Sequence, residues 1–320
     1  MTRLSKFRAC PLCEAICGLE LQYEAGNLTA IRGDEADPFS RGHICPKGNA
    51  ILDLENDPDR LRRPMRRIGD DWQEIGWDEA FTLVGERLAA IQAEHGPDSV
   101  AAYLGNPNVH HFGHIAYLPF LLKLVRSRNV FSASSVDQWP HQLVNAQMYG
   151  HQFLLPVPDI DNTDYFLMLG ANPIASNGSL MTVPDVRERI KALTARGKLT
   201  VIDPRRTETA LLASAHHFIK PAGDVYFLIA FMQVLMQAGE ARIEAYAGKL
   251  NGFAEALSAI SAFRIENLQA LTGIAPETIT ALAGDFYRAD SAVAYGRMGV
   301  SVQAHGTLCP GLLQPSNTSP

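Results

Sequence analysis

Cys10-Pro11-Leu12-Cys13-Glu14-Ala15-Ile16-Cys17, followed by Gly42-His43-Ile44-Cys45-Pro46-Lys47-Gly48, decides how the first sixty residues are read. Three closely spaced thiols can wrap one corner of a metal site. Cys45, beyond a gap of 27 residues, can close it from a distant loop. The opening Met1-Thr2-Arg3-Leu4-Ser5-Lys6-Phe7-Arg8-Ala9 has no apolar signal core and no Arg-Arg pair, so a cytoplasmic protein is expected. In a reducing compartment such a bunch of cysteines binds metal rather than forming disulfides. Two fillings match. Zinc prefers paired C-x2-C knuckles, and here one pair faces Cys45 alone. Iron–sulfur clusters use a tight run plus a remote cysteine often followed by proline, as in Cys45-Pro46, and the spacing favours this filling. Lys47 reads equally as a solvated surface cation or as a charge that raises the potential of a cluster beside it.

The rest of the composition is that of a globular protein. Of 320 residues, 47% are apolar and 19% charged, which excludes disorder as the dominant state. At about 150 residues per domain, about two domains are expected. Lysine and arginine total 28 against 34 aspartates and glutamates, a net charge of −6 that argues against nucleic-acid binding. The longest apolar run, Val225 to Met232, stops at Gln233, far short of the ~20 residues of a membrane helix, so no membrane span is expected.

Working outward, Leu19–Leu21 and Leu28–Ile31 predict a small hairpin turning at Ala25-Gly26-Asn27. Asp78 is placed to cap a helix running to Glu94, where Gly96-Pro97 ends it. Val100–Leu104 reads as a strand and Ile115–Val125 as a helix despite Pro119. From residue 133 strands and helices alternate. Tyr165–Leu169, Leu199–Ile202, Phe218-Ile219 and Ala292–Tyr295 read as strands; Pro184–Ala195, Asp224–Gln237 and Pro276–Tyr287 read as helices. This predicts a doubly wound α/β domain with a parallel sheet.

Ligands of such sheets bind at the carboxyl ends of the strands. Three strands end in polar or glycine-rich turns. These are Gly170-Ala171-Asn172-Pro173 with Ser176-Asn177-Gly178-Ser179, then Asp203-Pro204-Arg205, then Gly296-Arg297-Met298-Gly299. Glycine admits a pyrophosphate close to the backbone, and arginine meets phosphate bidentately. Asp203 is placed to accept from ribose hydroxyls or a guanine edge. Asp224 is a weaker member that equally reads as a helix cap. No GxGxxG is present, which argues against an ordinary nicotinamide site. Alone, each turn is also ordinary loop chemistry. His110, His111 and His114 read as proton shuttles or as loop histidines, and Cys309 as structural.

The cysteine set, together with Arg63-Pro64-Met65-Arg66-Arg67, Ile75-Gly76-Trp77-Asp78-Glu79-Ala80, Leu169-Gly170-Ala171-Asn172-Pro173, Ile202-Asp203-Pro204-Arg205 and Tyr295-Gly296-Arg297-Met298-Gly299, resembles the molybdopterin oxidoreductases. These include formate dehydrogenases, nitrate reductases and dimethyl sulfoxide reductase. The resemblance reaches about Leu308. It implies a 4Fe-4S cluster on Cys10, Cys13, Cys17 and Cys45, and a molybdenum or tungsten bis-molybdopterin guanine dinucleotide gripped by the three turns and Asp224. It also implies that Lys47 lies between the two centres. A small redox substrate and an electron-transfer protein or subunit are the implied partners. The family's metal ligand falls near the junction into the α/β domain. Matching Val136-x-x-x-Pro140 to the formate dehydrogenase pattern puts Asp137 there, a hard oxygen donor suited to an oxidised centre. Ser134 and Ser135 are the fallbacks, and a helix cap is the structural alternative for Asp137. Gln138 stands where formate dehydrogenases carry histidine, which argues against formate.

The expected organisation is a 4Fe-4S domain over 1–62, a partial α/β domain over 63–132 and a dinucleotide-binding-like domain over 133–309. An irregular tail is expected over 310–320, with the carboxyl-terminal part of the family fold missing. The tail's three prolines read as incompatible with a helix. Two other readings stay open: a non-catalytic iron–sulfur electron-transfer or scaffold subunit, and an inactive fragment with an exposed apolar face.

Overall fold

The structure is a computed structural model that describes residues 3–178, 180–181, 183–238 and 249–317; Ser179 of the second predicted turn lies outside them. The chain divides into two compact units, Met1–Ala133 and Ser134–Pro320.

In the first unit, β1 (Arg3–Ala9), β2 (Gly18–Glu24) and β3 (Asn27–Gly33) form an antiparallel sheet in that order. The predicted hairpin is β2–β3. Its two turn residues, Ala25 and Gly26, have φ of 50° and 86°, the pair of positive values that matches strand twist in a two-residue turn. Leu19 and Ile31 face Cys10, Ala15 and Cys17 in a small buried core. A second hairpin follows, β4 (Met65–Ile68) with β5 (Asp71–Glu74). Beyond it, β6 (Ala102–Leu104) pairs in parallel with β7 (Val130–Ser132). Helices Trp77–His95 and Phe112–Val125 accompany this pair, the second running through Pro119. Asp78 lies inside the first turn of its helix rather than capping it; Gly76 is the cap residue.

In the second unit, β8 (Tyr165–Leu169), β9 (Lys198–Ile202), β10 (Ala215–His217) and β11 (Ala292–Gly296) form one parallel sheet in the order β10-β9-β8-β11. The first strand is thus flanked by the second and the last. The direction of winding reverses between β8 and β11, and there the carboxyl ends open a crevice. Strand alternation splits the core into two layers. Tyr165, Leu167 and Leu169 face helices Asp224–Ala238 and Pro276–Arg288 through Phe227, Phe231 and Phe286. Phe166 and Met168 face helix Val186–Arg196 through Ile190 and Leu193. Both faces of the sheet are covered, as a parallel sheet requires.

Three expectations need correction. The third strand is Ala215–His217, not Phe218-Ile219. The half-buried histidine segment holds the register with β9, while Phe218 turns outward at 61% exposure. Helix Val186–Arg196 begins two residues later than Pro184, because Asp185 takes the left-handed conformation. The tail is not irregular: Leu308–Ser316 is a helix. Pro310 sits in its first turn, where an N–H would have no intrahelical acceptor. Pro315 falls next to its end. Cys309, Leu312, Leu313 and Ser316 are buried at steps of three, four and seven, an amphipathic stripe that the prolines mask. Asn317 then fastens to the outer edge of β11, accepting from the Ala294 amide at 2.7 Å and donating to its carbonyl at 3.0 Å.

Candidate functional site

The four amino-terminal cysteines come together in the first unit. Cys10 N–H donates to the Cys17 carbonyl at 2.8 Å, closing the loop between β1 and β2. Cys45 precedes the one-turn helix Pro46–Asn49. All four thiols are free, with Cys10 and Cys17 buried. Burial pushes the Cys17 thiol up to about 11, and the neighbouring Cys10, Cys13 and Cys45 add to the rise. Cys10 is also raised by burial, with Lys47 among the groups opposing the rise. Lys47 is exposed. Gly48 keeps the floor clear, since a Cβ there would lie 3.0 Å from Ile44 Cγ1 and 3.9 Å from Cys10 Sγ. Among the described residues no three His, Cys, Asp or Glu side chains converge tightly enough for one metal ion. A set of four thiols, three from one loop and one from a remote turn followed by proline, is the donor set that a 4Fe-4S cluster takes.

In the second unit the predicted turns meet at the crevice. Gly170 has φ of 53°, and a Cβ on it would lie 2.7 Å from Gly299 Cα. Gly299 N–H donates to the Gly170 carbonyl at 2.9 Å, and Arg297 N–H to the Leu169 carbonyl at 3.2 Å. The loops after β8 and β11 are therefore locked backbone to backbone. Asn172 binds the next loop, accepting from Thr209 Oγ1 at 2.8 Å and donating to Glu208 Oε2 at 2.7 Å. Pro173 is buried at the head of the short helix Pro173–Ser176, while Ser176, Pro204, Arg205 and Met298 are exposed. Asn177 is left-handed at the end of that helix.

Asp203 and Asp224 are the buried members, at 8% and 5% exposure. Burial holds the Asp203 carboxyl above its ordinary value, partly offset by the Arg205 amide, which donates to it at 2.8 Å. Burial likewise raises Asp224, and the nearby Asp203 charge adds to it. Gln303, which the sequence reading passed over, donates to Asp224 Oδ2 at 3.0 Å and to the Gly299 carbonyl at 2.8 Å. Its Oε1 is buried without a partner. Two carboxylates and an amide oxygen make a set of acceptors that calls for a ligand edge rich in N–H donors, as guanine has. Cys309, with no exposure, has its thiol pushed up to about 12 by burial and is structural.

Asp137 does not cap the helix Trp139–Tyr149; the cap residue is Gln138, with no side-chain cap bond. Instead Asp137 Oδ1 accepts from Arg297 Nη1 at 2.8 Å, and the arginine side chain is only 10% exposed. Ser134 and Ser135 lie in the single turn before it, with Ser135 exposed. His141, one helical turn after Asp137, is 8% exposed. Burial, joined by the Arg297 charge and opposed by Asp137, lowers it to about 4. Asn145, another turn on, is 1% exposed. The spacing of His141 and Asn145, four residues apart on the helix, was the available signal for this stripe, and Asp137 precedes the helix. The His111 and His114 rings pack against each other in the first unit, with centroids 4.7 Å apart and planes tilted by 40°.

A set of four thiols in the first unit, and a doubly wound sheet with an acceptor-lined crevice in the second, define a two-part cofactor-binding protein. The chain belongs to the molybdopterin oxidoreductase family: that family's sequence profile matches residues 60–298, and the profile of its Fe4S4 domain matches residues 8–57. Formate dehydrogenase H of Escherichia coli is 27% identical over 301 residues, 91% of this chain and 41% of the relative. The alpha subunit of F420-dependent formate dehydrogenase 2 of Methanococcus maripaludis is 24% identical over 298 residues, 93% of this chain and 43% of the relative. A nitrate reductase of Shewanella frigidimarina is 31% identical over 228 residues, 68% of this chain and 23% of the relative. Among solved structures, the acetylene hydratase from Pelobacter acetylenicus shares the fold. Its TM-score is 0.76 over 98% of this chain and 43% of that chain, at 20% identity. The chain spans less than half the length of these proteins. No helix among the described residues is long and apolar enough to cross a membrane.

Proposed function

We propose that this chain is the cofactor-holding part of a molybdenum- or tungsten-dependent oxidoreductase that works on a small substrate with an electron-transfer protein or subunit. The observation that carries the reading is the acceptor set of Asp203, Asp224 and Gln303 Oε1 beside the interlocked Gly170 and Gly299 turns. When bound, a bis-pterin metal centre supplies two-electron redox chemistry and a 4Fe-4S cluster single-electron transfer.

The chain's own residues hold and tune. Cys10, Cys13, Cys17 and Cys45 give up protons to become cluster ligands. The Lys47 charge offsets part of the cost of the thiolate at Cys10, one of the buried pair. Asp203 and Asp224 accept from the guanine edge, and the glycine turns admit the pyrophosphate. Asp137 offers a carboxylate oxygen to the metal, held in orientation by Arg297 through Oδ1. Elemental analysis of anaerobically purified protein tests the reading: about four irons per chain are expected, with molybdenum or tungsten. Iron without molybdenum or tungsten would favour the electron-transfer reading instead. Zinc in place of iron would overturn the redox assignment.

A further inference from the structure

A cleft of about 430 Å³ opens in the first unit, lined by the β1–β2–β3 sheet and the helix Ile51–Asn56. Strand alternation sets its chemistry. Lys6 and Arg8 of β1 stand on the same face as Leu21 and Leu19 opposite them on β2, and Ile31 continues that face on β3. Leu19, Leu21, Leu28 and Ile31 give the cleft an apolar floor, and Ile51 and Glu55 reach it from the helix, one turn apart. Leu19 and Ile31 also belong to the small core behind Cys10 and Cys17.

The charges around this floor are one-sided. Arg8 and Arg62 line the cleft, and Glu55 is its one acidic lining residue. The Glu55 carboxylate already pairs with Arg60, and its carbonyl accepts from Arg62 Nη2 at 2.8 Å. Arg8 has no ion-pair partner among the described residues. The Lys6 ammonium adds a third cation on this face, 5.5 Å from the centroid of the Tyr23 ring, which lines the cleft. A cationic rim over an apolar floor stands out in a chain whose net charge is −6.

We propose that this cleft binds a monocarboxylate with an apolar body. The volume and the apolar lining with a few placed charges are those of an organic ligand pocket. Guanidinium forks match a carboxylate bidentately, so Arg8 and Arg62 take the head and the leucine floor takes the body. Two arginines against one glutamate leave a single net positive charge, which suits a monoanion. The site goes beyond the function proposed above. None of the four cysteines, Lys47, Asp137, Asp203 or Asp224 lines it.

The test is calorimetric titration of the full chain with decanoate, decan-1-ol, decyl phosphate and acetate. Saturable one-to-one binding of decanoate is expected, at least tenfold tighter than that of decanol, with none for acetate. Arg8→Gln and Arg62→Gln, both at exposed positions, should each weaken decanoate about tenfold, or ~1.4 kcal/mol, and leave decanol unchanged. That split separates a role in binding the head from a role in the fold, which circular dichroism reads directly. Asn56→Trp, at an exposed lining position, should block decanoate and decanol alike. Replacing Phe112, Phe120 and Leu124 together by glutamine should change nothing, since they lie outside the cleft. Absence of saturable binding overturns the site, as does decanol binding as tightly as decanoate or an affinity that both arginine variants leave unchanged. Tighter binding of decyl phosphate would overturn the monocarboxylate assignment, and loss of binding in the triple variant would move the site to another surface. Iron and molybdenum contents enter none of these readouts, so the site can fail while the proposed function stands.

Discussion

Residues 77–133 and the sheet of the second unit are written in the same local code, parallel strands alternating with helices, yet they end in opposite states. In the second unit Phe166, Phe227, Phe231 and Phe286 have no exposure at all. In the first, Tyr103 is 76% exposed, Phe112 91%, Tyr117 74% and Leu124 75%. Helices Trp77–His95 and Phe112–Val125 contain no buried residue. The β6–β7 pair is a two-stranded parallel ladder, a form that needs more strands and cover on both faces. The difference teaches that periodicity specifies an element, whereas a partner surface specifies a core. The second unit contains its partners within 187 residues. The segment 63–133 presents exposed large apolar side chains of the kind that mark an interface.

The largest effect that separates the two regions is the cost of truncating an aromatic. Phe231→Ala should cost about 3–5 kcal/mol, because a filled site in a covered layer becomes a cavity. Phe120→Ala, at a residue 66% exposed, should stay within about 0.5 kcal/mol. Urea unfolding followed by circular dichroism reads both. Equal losses would mean that Phe120 is covered in solution, and the comparison would collapse.

A smaller effect sharpens the same contrast. A hydrophobic dye should bind the intact chain through the 63–133 face. Replacing Phe112, Phe120 and Leu124 together by glutamine should at least halve that signal while the secondary structure stays constant. The substitution removes large apolar groups from one exposed helix and touches no buried residue. An unchanged dye signal would place the adhesive surface elsewhere.

How much of this could be read in advance follows the same division. The gathering of the amino-terminal cysteines was legible because it is mostly local: Cys10, Cys13 and Cys17 sit in one loop. Strand β8 was legible because five consecutive apolar residues fit a strand buried on both faces. The tail helix was not, because Pro310 and Pro315 argue against a helix unless their place in its first turn and near its end is known. The Asp137–Arg297 pair joins residues 160 positions apart. Only the β8–β11 adjacency brings the Arg297 turn into the crevice, and no spacing rule foretells it. Gln303 was missed for the same reason. Its partners, Asp224 and Gly299, belong to a helix start and a strand end that become neighbours only in the folded sheet.

The subtlest contrast lies inside the second unit, between residues that stabilise it and residues that serve its crevice. Phe231 belongs to the first kind. Asp224 is proposed above for the second; burial and the nearby Asp203 charge raise its carboxyl above the ordinary value. The unfolded chain ionises this group at about 3.9, so between that pH and the raised folded value the native state binds more protons. Stability from this group is therefore full below the unfolded value and is lost as pH rises through the folded one. The deficit persists at neutral pH. Asp224→Asn removes the charge and keeps an oxygen facing Gln303. The variant should melt slightly higher than the parent at pH 7, with the difference shrinking toward pH 4, while its hold on guanine nucleotides weakens. Melting curves across that range decide it. A variant that melts lower at pH 7 would mean that the Asp224 carboxylate stabilises the fold, and would move it from the crevice to the scaffold.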